Sequence, residues 1–99
     1  MKSLVIASLL LFSINAFACK QEAQFIAPSV ETSFENQKCV ATVIEFTHYQ
    51  ESMVCPLWQE DVIDQGILIK NTTAEECSKI NRLSGYLVKD HFTHDIFLD

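Results

Sequence analysis

The chain has 99 residues, of which 48 % are hydrophobic and 20 % charged, with four cysteines and a formal charge of −6. That length accommodates one domain. Seven Lys/Arg against thirteen Asp/Glu argue against a duplex-binding or anionic-membrane-binding surface, because such surfaces need clustered cations to neutralise phosphates.

Residues 1–18 read as a cleaved secretory signal peptide. Met1-Lys2-Ser3 carries one positive side chain, Leu4 to Phe12 is apolar except for Ser8, and Ala16-Phe17-Ala18 supplies a small-x-small cleavage site. The apolar run is far shorter than the roughly 20 helical residues that span a hydrocarbon core. No later stretch is long enough, so no transmembrane span is expected. Cleavage exposes Cys19, which raises the alternative of a lipoprotein acylated at that residue. Ala16 and bulky Phe17 occupy the positions where the lipoprotein pattern usually has Leu and a small residue. Acylation would also leave an odd set of Cys39, Cys55 and Cys77, whereas an unmodified Cys19 gives an even one. The expected destination is therefore the periplasm or the medium, without a lipid anchor.

Residues 19–99 form the expected single domain. It is small enough to be marginal without covalent help, and in an exported chain Cys19, Cys39, Cys55 and Cys77 supply that help as two disulfides. The spacings favour Cys19–Cys39 with Cys55–Cys77, or Cys39–Cys55 with Cys19–Cys77, while sequence leaves all three connectivities open. Zinc ligation by cysteine is disfavoured because no two cysteines form a C-x₂₋₄-C pair.

In chain order, Glu22 to Ala27 is a first strand, stopped by Pro28, which has no amide proton for a ladder. The polar residues Glu31 to Lys38 read as a connection. Cys39 to His48 alternates clearly, with Val40, Ile44 and Phe46 on one face and Cys39, Ala41 and Val43 on the other. Apolar residues on both faces suggest a closed or double-layered sheet. His48 to Ser52 reads as a turn and Met53 to Pro56 as a short returning strand. Leu57 to Gln65 is ambiguous. Trp58 and Val62 lie one helical turn apart, and Gly66 suits the C-terminal end of a short helix. Gly66 to Lys70 is rich in β-formers. Thr72 or Thr73 then opens a helix, each followed three residues later by Glu in a capping-box spacing, with Cys77 and Ile80 facing the domain. Tyr86–Lys89 and Asp95–Leu98 read as a closing hairpin.

This order predicts a mainly β, α+β domain with one short helix. A small five-stranded, partly open OB-like barrel has its helix between the third and fourth strands, which matches the order. A disulfide-stapled α+β sandwich is the alternative.

Chemistry is sparse. His91 and His94, three apart and flanked by Asp90 and Asp95, would share a metal only across a tight turn, joined by His48 or a carboxylate. A solvated hairpin tip explains the same residues. No nucleophile elbow, Gly-rich phosphate loop or EF-hand spacing occurs, so no cofactor is expected. Glu75 and Glu76 suit a helix start, and Glu60, Asp61 and Asp64 a solvated face. Asn71-Thr72-Thr73 matches a glycosylation sequon, for which helix capping is the simpler use. Tyr49, Trp58 and Phe92 fall in turns or ambiguous segments and are the aromatic candidates for binding. The function expected is a non-enzymatic exported binding module of an unspecified protein or small ligand. Alternatives are an inhibitor of a secreted hydrolase projecting His48–Ser52 or Asp90–Asp95, a surface metal binder using His91 and His94, and a small hydrolase.

Overall fold

A computed structural model describes residues 19–99; the signal-peptide assignment of residues 1–18 lies outside the described residues. The described residues contain seven strands and two short helices. Strand β1 is Gln21–Ala27, β2 Ser29–Glu35, β3 Lys38–Glu45 and β4 His48–Glu51. Helix α1 (Gln59–Gln65) leads into β5 (Ile67–Ile69), and helix α2 (Ala74–Ser78) precedes β6 (Leu83–Lys89) and β7 (Ile96–Leu98). All seven strands belong to one sheet in the order β2-β3-β5-β7-β6-β1-β4, so no second sheet makes a sandwich. Pairing is antiparallel except for β5 and β7, which run parallel through Leu68 and Phe97.

The sheet has to curl. Strands β1 and β2 lie five places apart in it, which in a flat sheet would separate them by about 24 Å at 4.7–4.9 Å per strand. Yet only Pro28 joins them, and a single residue reaches less than ~8 Å. The two sides of the sheet are therefore brought together at Pro28 in an open half-barrel, and the Val30 amide donates to Asn81 O at 2.9 Å across the closing side. Counting β1 and β2 as one strand bent at Pro28 gives the five-strand order read from the sequence, with α2 between the third and fourth. The additional strand is β4.

Three sequence assignments change. Residues 31–38, read as a polar connection, are mostly β2 and its hairpin to β3. The turn is Asn36–Gln37, both at positive φ (50° and 63°), the two-residue type I′ geometry whose twist suits a hairpin. Residues 48–51, read as a turn, form edge strand β4 against β1. Met53–Pro56 is not a strand; only Pro56 bridges to Glu22.

The core is the concave face of the sheet closed by α1. Ala23, Phe25 and Ala27 of β1 alternate inward, as do Ala41 and Val43 of β3, and meet Leu57, Val62, Ile67, Leu87 and Ile96. Gly66 (φ 82°) ends α1 and donates its amide to Val62 O. Thr73 caps α2 in a full capping box with Glu76. Cys77 is buried and Ile80 packs on the core, as the helical spacing requires.

The disulfides are Cys19–Cys55 and Cys39–Cys77, the connectivity that neither favoured pairing contained. The reason is long-range placement. Strand β4 ends with Glu51 opposite Ala23, the chain then turns back, and the Glu22 amide donates to Cys55 O at 3.1 Å, which sets Cys55 at the start of β1 near Cys19. Cys39 begins the inward row of β3. Helix α2 lies against the neighbouring β2, where Thr32 Oγ1 donates to Cys77 O at 2.7 Å. Two disulfides mark an oxidising setting, and among the described residues no helix is long and apolar enough to cross a membrane.

Candidate functional site

The strongest concentration of predicted site residues is at the turn between β6 and β7. Asp90 builds this turn. Its Oδ1 accepts from the amides of Phe92 (2.7 Å) and Thr93 (3.1 Å), while its backbone exchanges bonds with Asp95 O and His94 N, each at 2.8 Å. The Thr93 and Phe92 amides hold the Asp90 carboxyl below its ordinary range. His94 sits at φ 65°, an uncommon conformation for a non-glycine residue. It is secured by the Asp90 bond and by Gln65 Nε2, which donates to His94 O at 2.6 Å.

On one side of this turn is a hollow of about 440 Å³ lined by the Cys19–Cys55 bridge, Gln21, Pro56, Trp58, His91 and His94. Trp58 stands immediately before α1, contributes no side-chain cap, and is 53 % exposed. On the other side is a wider hollow of about 690 Å³ bordered by Lys20, Lys70, Lys89, His91, Phe92 and Phe97, with Glu22, Asp90 and Asp99. Lys70 Nζ lies 4.0 Å from the Phe97 ring centroid, a cation–π distance, and Lys89 Nζ is 4.0 Å from Asp61. Phe92, 83 % exposed, stacks obliquely on His91 with centroids 4.2 Å apart. His91 borders both hollows.

The fold thus gathers Cys19, Cys55, Trp58, His91, Phe92 and His94 at one end of the barrel. It does not bring His48 or Tyr49 there. His48 pairs with Ile26, while Gln21 pairs with Lys89 beside the Asp90 turn; five strand residues between these points amount to about 16 Å. Among the described residues no three of His, Cys, Asp or Glu form a metal-holding group, and His48 stands apart from His91 and His94. Tyr49 is a packing residue. Its ring meets Phe46 edge-on at 5.1 Å and its hydroxyl donates to Leu57 O at 2.5 Å. Burial, with Glu51 and Asp61 nearby, raises its pKa. Cys39 and Cys77 are buried in the other bridge.

Sequence reasoning missed the lysines of the wider hollow, whose proximity depends wholly on the sheet order. It also missed the exposed pair Met53–Val54, assigned to a strand. The nearby Cys55-Pro56 was a usable signal, since proline and a crosslinked cysteine commonly mark a loop.

The arrangement offers aromatic faces, imidazoles and cations on a firmly held turn, a chemistry suited to contact with another molecule. Comparison of the chain with protein-family models, curated proteins and solved structures finds no match.

Proposed function

We propose that the protein is an exported, non-enzymatic binding module of the periplasm or extracellular medium. Its recognition surface is centred on the Asp90–Asp95 turn and the Cys19–Cys55 bridge. The observation that carries this reading is the outward display of Trp58 and Phe92 around a turn whose backbone is fixed by Asp90 and Gln65. Aromatic side chains provide large contact area with few rotors to immobilise, and a turn already ordered by internal bonds loses little entropy on association. Asp90, occupied by two amides, serves the turn.

The test is capture from the envelope and culture medium of the exporting organism, using the disulfide-bonded protein and its Trp58→Ala/Phe92→Ala variant. A partner retained by the parent and lost by the variant supports the reading. Equal retention, or no partner at all, refutes it. Both side chains are exposed, so the variant should keep the parent's melting temperature.

A further inference from the structure

Met53 and Val54 are 96 % and 87 % exposed. Isolated exposed apolar residues are ordinary, whereas contiguous exposed apolar surface marks contact sites, and these two residues are adjacent. This loop is not slack. Glu22 holds both of its flanks: Glu22 O accepts from Ser52 N (2.9 Å) and Leu57 N (3.2 Å), and Glu22 N donates to Cys55 O (3.1 Å). Inside the loop, Ser52 Oγ accepts from the amides of Val54 (3.3 Å) and Cys55 (3.4 Å). Cys55 is bonded to Cys19. The chain therefore spends a disulfide and five hydrogen bonds on presenting two apolar side chains to solvent.

We propose that Ser52–Cys55 is an insertion loop for a secreted endopeptidase with an apolar primary specificity pocket, and that Met53 is the side chain the pocket receives. The proposal rests on the binding-module reading and names the class of its partner. Methionine's unbranched thioether adapts to an apolar slot, and such a slot defines one class of endopeptidase specificity. The acidic neighbours Glu22 and Glu51 disfavour an anionic membrane surface as the occupant. The disulfides also fit this use. Cys19 and Cys39 precede the Met53–Val54 bond, and their partners Cys55 and Cys77 follow it, so both bridges span it. The β1–β6 and β3–β5 pairings span it as well. If the enzyme adds water across that bond, giving a Met53 carboxylate and a Val54 ammonium, the halves stay doubly linked and in place. The product then remains in the enzyme's cleft, and the reverse condensation, which releases the water, stays open to it.

The disulfide-bonded protein is titrated against chymotrypsin and trypsin with small chromogenic substrates. The expected result is inhibition of chymotrypsin and none of trypsin. Met53→Gly should weaken inhibition by about 100-fold, the scale on which an apolar pocket discriminates, at an unchanged melting temperature. Met53→Lys should transfer inhibition to trypsin. Uninhibited chymotrypsin, equal inhibition by Met53→Gly, or digestion beyond a single Met53–Val54 cut overturns the proposal. So does Met53-dependent sedimentation with neutral phosphatidylcholine vesicles in place of inhibition, which would assign the tip to lipid. If inhibition is absent while Trp58- and Phe92-dependent capture persists, the insertion loop alone fails. If capture also fails, the binding-module reading fails with it.

Discussion

Removing the buried bridge by Cys39→Ala/Cys77→Ala should cost more stability than removing the outer one by Cys19→Ala/Cys55→Ala. The two bonds span 38 and 36 residues, for which the chain-entropy relation gives about 4 kcal/mol each at 25 °C. Loop length therefore does not separate them, and burial decides. Cys39 and Cys77 are 0 % and 1 % exposed, whereas Cys19 and Cys55 are half-buried. Deleting two buried sulfurs leaves space that the curled sheet cannot fully close, adding about 1 kcal/mol or more. The inner variant should thus lose about 5 kcal/mol and the outer about 4 kcal/mol. Against a total on the order of 5–15 kcal/mol, either loss is large. Guanidinium unfolding followed by circular dichroism measures both, with the slope fitted freely because an uncrosslinked unfolded chain exposes more surface. A loss below about 1 kcal/mol in the inner variant, or a larger loss in the outer one, would refute the reasoning.

Other expectations follow from local geometry. Thr73→Ala removes the hydroxyl that accepts from Glu76 N at 3.1 Å and should lower stability by about 1 kcal/mol, read in the same denaturation assay. Gly66→Ala places a Cβ 3.0 Å from both Ala41 O and Val40 Cγ1 at φ +82° and should cost about 1–3 kcal/mol; an unchanged midpoint would show that the turn relaxes freely. Asp90 has its folded-state pKa depressed by the Thr93 and Phe92 amides. Its stabilisation is present above the unfolded value of about 3.9 and is lost as pH falls through the lower folded value. The Phe92 and Thr93 amide resonances should move together in that acidic range, and in Asp90→Asn the movement should vanish.

What the sequence made visible were elements whose signals are local. Thr73 with Glu76, Gly66 after Gln65, and the β6–β7 hairpin each depend on residues within a few positions. The elements it concealed are defined by distant partners. Strand β2 buries only Val30, so its polar outward residues resemble a linker, and Asn36–Gln37 lacks the glycine that usually announces a type I′ turn. Strand β4 has four residues, of which Tyr49 alone packs inward; only the register of β1 makes it a strand. The disulfide connectivity likewise depends on distant contacts, Cys55 with Glu22 and α2 with β2, and was hidden for the same reason. Of the proposed surface, Trp58, His91, Phe92 and His94 stand out in the sequence by residue type, while their convergence follows from the start of α1 and the end of β6 lying at one end of the half-barrel. Tyr49 misled because an aromatic residue in a supposed turn resembles a binding residue until its strand is known.

Departures from local rules are concentrated where the molecule is most firmly tied. His94 occupies the left-handed region without being glycine. Trp58 stands at a helix start where Ser, Thr, Asp or Asn would supply a cap. Met53 and Val54 expose apolar surface that burial would stabilise. Positive φ elsewhere has a structural cause, the hairpin twist at Asn36 and Gln37 and the tolerance of Asn71 for that conformation. His94 closes the β6–β7 turn through its bond to Asp90, whereas the departures at Trp58 and Met53–Val54 have no such local cause, and all three surround the Cys19–Cys55 bridge, which lies outside the core. A crosslink at the surface adds no packing there. Its position is explained if what needs fixing is the relative placement of Met53, Trp58 and the Asp90 turn, so that another molecule meets them already arranged.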